Sequence, residues 1–147
     1  MKWMGACLLM LSACMAVFSE RRQTIARIRC LDSLISAFHT MARELPATAA
    51  PLRQLYEHLP PGPARRWLAD GDASAVAILT EDQRCHLREV QAVLGAYDGQ
   101  TQAKALLRAA GLLEQERESM AQTYPATLRT KQALVLSGAA VLTILLL

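Results

Sequence analysis

The chain has 147 residues, which is enough for one small domain with its own hydrophobic core. Only 5% of them are aromatic and β-branched runs are nearly absent, so the composition favours helices over sheets. The charges are 16 Lys and Arg against 13 Asp and Glu, and they form no basic stripe. This charge pattern argues against a nucleic-acid-binding protein.

The chain begins with an apolar segment, residues 3–18, that contains no charged residue. A helix of that length measures roughly 24 Å, which is short for a bilayer core of about 30 Å. We favour a retained transmembrane helix over residues 1–19, while a cleaved secretory signal and a lipoprotein signal remain alternatives. The lipoprotein interpretation is based on Leu11-Ser12-Ala13-Cys14, although the apolar run continues beyond Cys14.

The helix is predicted to continue to Leu45, because residues 6–45 contain neither Gly nor Pro. Pro46 then ends it, since the residue before a proline avoids the α region. We interpret the apolar stripe on this helix as core packing. Its residues follow steps of three and four: Ile28, Leu31, Ile35, Phe38, Ala42 and Leu45.

Three short helices are predicted next, over residues 52–59, 64–69 and 73–79, with Pro/Gly-rich turns between them. The second carries Arg65, Arg66 and Trp67. Arg and Trp are common in protein interfaces, so this segment is a candidate partner-binding site. The interpretation that we prefer is structural, with Trp67 filling a small core beside solvated arginines.

Thr80 and Gln83 fit a capping box at the start of the next helix. The predicted buried face of that helix consists of Leu87, Val90, Leu94 and Tyr97. A turn over residues 94–99 then joins two long antiparallel helices, with Asp98 as the N-cap of the last one.

The last helix carries an apolar stripe that only Arg117 interrupts, and Pro125 is predicted to kink or briefly break it. Its end, residues 133–147, has no charge and predicts a second transmembrane helix over residues 131–147. Positive residues adjoin both apolar ends, so residues 20–130 are expected on the cytoplasmic side. The stripe consists of Leu106, Ala110, Leu113, Met120 and Tyr124.

No motif in the chain points to catalysis. We find no phosphate-binding glycine loop, nucleophile elbow or zinc-protease motif. The four cysteines contain no C-x-x-C pair, and the three histidines have no ligand spacing. The sequence therefore predicts a protein that is not an enzyme, with no catalytic, cofactor-binding or metal-binding residues. The predicted fold is all-α: a cytoplasmic antiparallel bundle of about five to six helices between N- and C-terminal transmembrane helices.

Several short motifs are distributed over nearly the whole chain. They are Glu20-Arg21-Arg22, the stretch from Ile25 to Leu31, Pro51-Leu52, Leu94-Gly95 with Asp98 and Gln102, and the terminal Leu145-Leu146-Leu147. In this layout the chain resembles the stage III sporulation protein AB family of spore-forming Firmicutes. It departs from the family pattern by a shorter segment between residues 47 and 80 and by Pro125 within the last helix.

The resemblance implies a scaffold in the channel apparatus that joins mother cell and forespore. Family members resemble the F-type platform domain of type II secretion systems, so the expected partners are a secretion-type ATPase and other membrane subunits of the channel. The expected location is the mother-cell membrane facing the forespore, and association with further copies of the chain stays open. Asp98 and Gln102 join Arg65, Arg66 and Trp67 as candidate partner-binding residues. The alternatives are a Cys14 lipoprotein, an exported helical protein, or a membrane adaptor unrelated to spores.

Overall fold

The structure, a computed structural model, describes residues 2–48 and 51–146, and the regular elements in those ranges are all helices. This confirms the all-α class, and no β-strand occurs in those two ranges. A short 3₁₀ helix, Ala73–Val76, lies between the third and fourth α-helices. The α-helices are α1 (Lys2–Glu44), α2 (Leu52–His58), α3 (Pro63–Asp70), α4 (Glu81–Val93) and α5 (Gly99–Leu146).

The chain divides into two compact units. The terminal unit combines Met1–Ile25 with Ser119–Leu147, and the central unit is Ala26–Glu118. The boundaries predicted near residues 19 and 131 therefore both fall within the terminal unit. None of the helices, over the stretches described, is long and apolar enough to cross a membrane.

The core of the central unit is organised around α1. Its predicted stripe is buried at four positions, whereas Ile28 and Leu45 are half-buried. A second row of α1 side chains, which the sequence did not single out, is buried as well, because α1 contacts several elements at once. The Asp32–Arg117 ion pair and a hydrogen bond between His39 and Glu114 join it to α5. A ring contact joins it to α3, and Arg27 Nε donates to the carbonyl of Ile78 over 3.0 Å. The second row consists of Cys30, Leu34, Ala37 and Met41.

The segment after α3 differs from the prediction of a helix over residues 73–79. Only Ala73–Val76 is helical, and it is a 3₁₀ helix. Asp72 caps it by accepting a hydrogen bond from the Ser74 N–H over 3.0 Å. Ala77 then donates to a carbonyl three residues earlier, which is the bonding pattern of a 3₁₀ turn.

The capping box that begins α4 is confirmed. The Gln83 N–H donates to Thr80 Oγ1 over 3.4 Å, and the Thr80 N–H donates to Gln83 Oε1 over 3.1 Å. Tyr97, which was predicted on the buried face, is 60% exposed, so that part of the prediction is wrong. The reason is that α4 ends at Val93 and Gly95 adopts a left-handed φ of 83°, which turns the chain away from the helix periodicity.

The last helix runs without interruption through Pro125. A break at Pro125, one of the two predicted outcomes, is therefore wrong, because the proline ring removes one backbone N–H and the helix continues on both sides of it. A kink there stays a prediction. Of the predicted stripe on α5, Leu106, Ala110 and Leu113 are buried, whereas Met120 and Tyr124 are half-buried.

Candidate functional site

The first candidate partner site, on α3, has its largest side chain in the core. Trp67 is 5% exposed, and its ring centroid lies 6.4 Å from that of Phe38 at an interplanar angle of 57°. Such a tilted aromatic pair is a common core contact. Arg66 is exposed and Arg65 is half-buried. The two arginines are accessible to a partner, while Trp67 already has its packing partner inside the chain.

The second candidate pair lies where the α4–α5 turn meets α5: Asp98 is the residue before the helix, and Gln102 is in its first turn. Asp98 accepts hydrogen bonds from the Thr101 hydroxyl (2.6 Å) and the Thr101 N–H (3.3 Å), as an N-cap does. The Gln102 amide is 6% exposed and donates to the Tyr97 carbonyl. Its other amide atom, Oε1, is buried and makes no hydrogen bond within the described residues. Both side chains thus hold the turn itself.

This turn is also tightly packed against the end of α1. A Cβ atom at Gly99 would lie 2.9 Å from the carbonyl oxygen of Leu45, which is closer than side-chain atoms normally approach backbone. The motif Leu94-Gly95 with Asp98 and Gln102 therefore has a local structural explanation: a left-handed Gly95, a helix cap and a buried amide, next to the close approach at Gly99.

The Asp98 cap predicts a pH-dependent stability. Its hydrogen bonds from Thr101, the hydroxyl first, lower the pKa of the Asp98 carboxyl. A lowered pKa means that the stabilisation is present above the ordinary carboxyl pKa and is lost as the pH falls through the lowered one. We expect Asp98→Ala to lower the thermal unfolding midpoint at pH 7, and the difference from the wild-type chain to shrink on acidification.

The matched control for this prediction is Asp98→Asn, which can cap the helix but does not titrate. Its midpoint should lie above that of Asp98→Ala at pH 7. The measurement is the thermal unfolding midpoint of the wild-type chain and both variants, followed by circular dichroism from neutral to acidic pH. A difference between the wild-type chain and Asp98→Ala that stays constant with pH would contradict the capping role of the carboxylate.

A groove between α4 and α5 is a feature that the sequence analysis missed. It encloses about 430 Å³, with an apolar floor that includes Val90 and Ala109. Its rim is charged, with His86 and Glu89 on α4 and Lys104 and Arg108 on α5. No hydroxyl or thiol lines it, and no group of three metal-ligating side chains occurs in the described part of the chain. The groove thus combines an apolar floor with a charged rim, on which His86 Nδ1 and Glu89 Oε2 lie 3.9 Å apart.

The thiols of the central unit differ in accessibility. Cys30 is buried, and its Sγ lies 3.7 Å from the Ala75 carbonyl oxygen. Burial raises the pKa of the Cys30 thiol, an effect that the nearby Arg66 charge partly offsets. Cys85, in contrast, is exposed on α4. A thiol reagent should therefore reach Cys85 and not Cys30 in the folded chain.

The terminal unit has a different character, because many of its large apolar side chains face outward. Their exposed fractions reach 72% at Met4 and 74% at Ile144. Exposed apolar surface of this extent marks a contact with another apolar surface. The other members of this set are Leu8, Met10, Leu11, Met15, Phe18, Leu134, Leu136 and Val141.

The same unit contains a small recess between its segments of α1 and α5, with a volume of about 80 Å³. Glu20 and Lys131 form an ion pair of 2.8 Å at its edge. Tyr124 also lines the recess, and its hydroxyl is buried and makes no hydrogen bond to any residue that the structure describes. The recess is also lined by Arg21, Thr24 and Thr127. A buried hydroxyl without a partner is unusual in a folded chain and points to a missing one.

Comparison with protein-family models, curated proteins and solved structures gave no match to this chain.

Proposed function

We propose that the chain is a non-enzymatic scaffold whose terminal unit is held in a membrane and whose central unit binds other proteins. The observation that carries the proposal is the outward-facing apolar set of the terminal unit, from Met4 to Phe18 and from Leu134 to Ile144. Apolar side chains exposed on both helices of one unit mark a surface that contacts a membrane or another protein. A lipid bilayer or its interface provides such a contact without any specific partner.

The distribution of charge supports the same proposal. Arg21 and Arg22 follow the first apolar segment directly, and Arg129 and Lys131 precede the last one. Positive residues at these positions favour a cytoplasmic location of the intervening chain. The central unit would then be a helical module at the cytoplasmic face, with the α4–α5 groove available to a partner.

The resemblance to the stage III sporulation protein AB family makes the proposal more specific. In that version the central unit connects a secretion-type ATPase to membrane subunits of the mother cell–forespore channel. The motif that carries the resemblance, Leu94-Gly95 with Asp98 and Gln102, builds the α4–α5 turn in this structure. The central unit would act mechanically, with no catalytic residue of its own.

Two experiments address this version. Deletion of the gene should arrest spores after engulfment begins, and normal counts of heat-resistant spores would reject the sporulation role. Affinity purification of the full chain from membranes should bring down the ATPase. A stable set of partners without any ATPase would favour a membrane adaptor unrelated to spores.

The cytoplasmic location can be tested through Cys85. We expect an impermeant maleimide to leave Cys85 unlabelled in whole cells and to label it after lysis, in a chain with Cys7→Ser and Cys14→Ser. Cys30 is buried and should stay unlabelled in both samples, which provides an internal control. Labelling of Cys85 in intact cells would place the central unit outside the cytoplasm and reject the proposed topology.

The lipoprotein alternative depends on Cys14, which is exposed on α1, well inside that continuous helix. Processing there would remove residues 1–13 and add acyl chains to the thiol. Mass spectrometry of the mature protein separates the two cases. A mass of about 16.1 kDa, with or without Met1, excludes processing, whereas an acylated chain starting at Cys14 would establish it.

A further inference from the structure

We infer that the terminal unit binds the phosphodiester group of an anionic phospholipid, through its basic residues and the recess beside Tyr124. The inference rests on the membrane attachment proposed above and specifies the lipid that the chain selects. We call Arg21, Arg22, Arg129 and Lys131 the cationic collar. Three observations support the inference: the concentration of positive charge in the terminal unit, the absence of carboxylate partners for most of the collar among the described residues, and the unpartnered hydroxyl of Tyr124.

The net positive charge of the chain is concentrated in the terminal unit. That unit holds five Lys and Arg residues, the collar and Lys2, against the single acid Glu20. The central unit holds 11 of the chain's 16 basic residues and 12 of its 13 acidic residues. The central unit is therefore close to neutral, and an anionic surface would attract the terminal unit alone.

Most of the collar has no carboxylate partner. Arg21, Arg22 and Arg129 form no ion pair with any residue in the described ranges. Arg22 lies over the Phe18 ring, with 4.9 Å between its Cζ and the ring centroid. Lys131 alone is neutralised, by Glu20 at 2.8 Å. Guanidinium groups without counter-ions, next to an apolar segment, are suited to phosphate groups at a bilayer surface.

The recess provides a defined position for one phosphate. Arg21 and Tyr124 both line it, and both side chains carry hydrogen-bond donors, of which the buried Tyr124 hydroxyl has no partner within the described residues. The Thr24 and Thr127 hydroxyls already donate to the carbonyls of Glu20 (3.1 Å) and Thr123 (2.8 Å), so they present acceptors instead. Because Glu20 is paired with Lys131, the lining carries one net positive charge from Arg21. A phosphodiester with one negative charge balances it, and a glycerol hydroxyl can donate to the threonines.

The test uses the full chain, transferred from a nonionic detergent to vesicles and separated by flotation. One set of vesicles is phosphatidylcholine, and the other contains about one-third phosphatidylglycerol. We expect the anionic vesicles to capture the chain at least about tenfold better at low salt, and Arg21→Gln to reduce this preference about fivefold. Arg53→Gln, an exposed arginine on α2, is the matched control and should leave it unchanged.

A second pair of variants tests the recess. Tyr124→Phe should reduce the preference for anionic vesicles, while Tyr97→Phe, on an exposed tyrosine, should not. If Tyr124→Phe leaves the preference for anionic vesicles unchanged, the recess does not bind the phosphodiester group and the inference is overturned. Circular dichroism and the unfolding midpoint establish that each variant is folded.

Three further outcomes distinguish a lipid phosphate from free phosphate, and membrane attachment from selection of an anionic lipid. Inorganic phosphate that abolishes the preference at matched ionic strength would identify a free-phosphate site and overturn the lipid assignment. Equal capture by both vesicles would overturn the inference while leaving membrane attachment intact. Capture by neither would reject both.

Discussion

Replacing Trp67 by alanine should destabilise the chain by about 3–5 kcal/mol, the usual loss for a buried large aromatic side chain. Trp67 is 5% exposed and packs against Phe38, which is itself fully buried. Truncation would leave a cavity in contact with the centre of α1. Because small domains are stable by only about 5–15 kcal/mol, the effect should be visible as a large drop in the urea midpoint.

The control is Arg66→Ala, one position earlier on the same helix. Its side chain is exposed, so its unfolding free energy should change by no more than about 0.5 kcal/mol. The pair separates the two interpretations of this segment. A Trp67→Ala chain with normal stability that has lost a partner would show that the tryptophan is an interface residue and not a core residue.

The features that the sequence predicted correctly are those set by neighbouring residues. Thr80 and Gln83 are three positions apart, and their capping box depends only on side chains and backbone within one helical turn. The same holds for Asp98 as the cap of α5. The α1 stripe was predicted because periodicity marks the face that is buried against a neighbouring element.

The features that the sequence missed depend on segments far apart in the chain. Leu34 and Met41 are buried because α1 is covered on more than one side, which a single-helix pattern cannot indicate. Tyr97 is exposed because Gly95 takes a left-handed φ that ends the α4 periodicity. The groove and the recess each combine residues from two helices, so neither has a contiguous motif. Of these two sites, the sequence indicated only the basic residues next to both apolar ends of the chain.

Gly99 is the position where a single methyl group should have the largest effect on the backbone. We expect Gly99→Ala to lower the free energy of unfolding by about 1–3 kcal/mol, as overpacking does in tight interfaces. The added Cβ would lie 2.9 Å from the Leu45 oxygen and 3.4 Å from its carbonyl carbon. Both are backbone atoms and cannot rotate away, so the start of α5 must move from the end of α1. Urea unfolding of the full chain measures the loss.

The same substitution at Gly111, in the interior of α5, provides the opposite expectation. A Cβ there meets no atom within 4 Å apart from the backbone of its own helical turn and its chain neighbours. Because alanine favours the helix over glycine, Gly111→Ala should stabilise the chain by roughly 0.5–1 kcal/mol. The two variants remove the same backbone freedom from the unfolded chain, so their difference in sign isolates the contact between Gly99 and Leu45. If Gly99→Ala were also stabilising, the α4–α5 turn would not be held against α1, and the structural explanation of its glycine motif would fail.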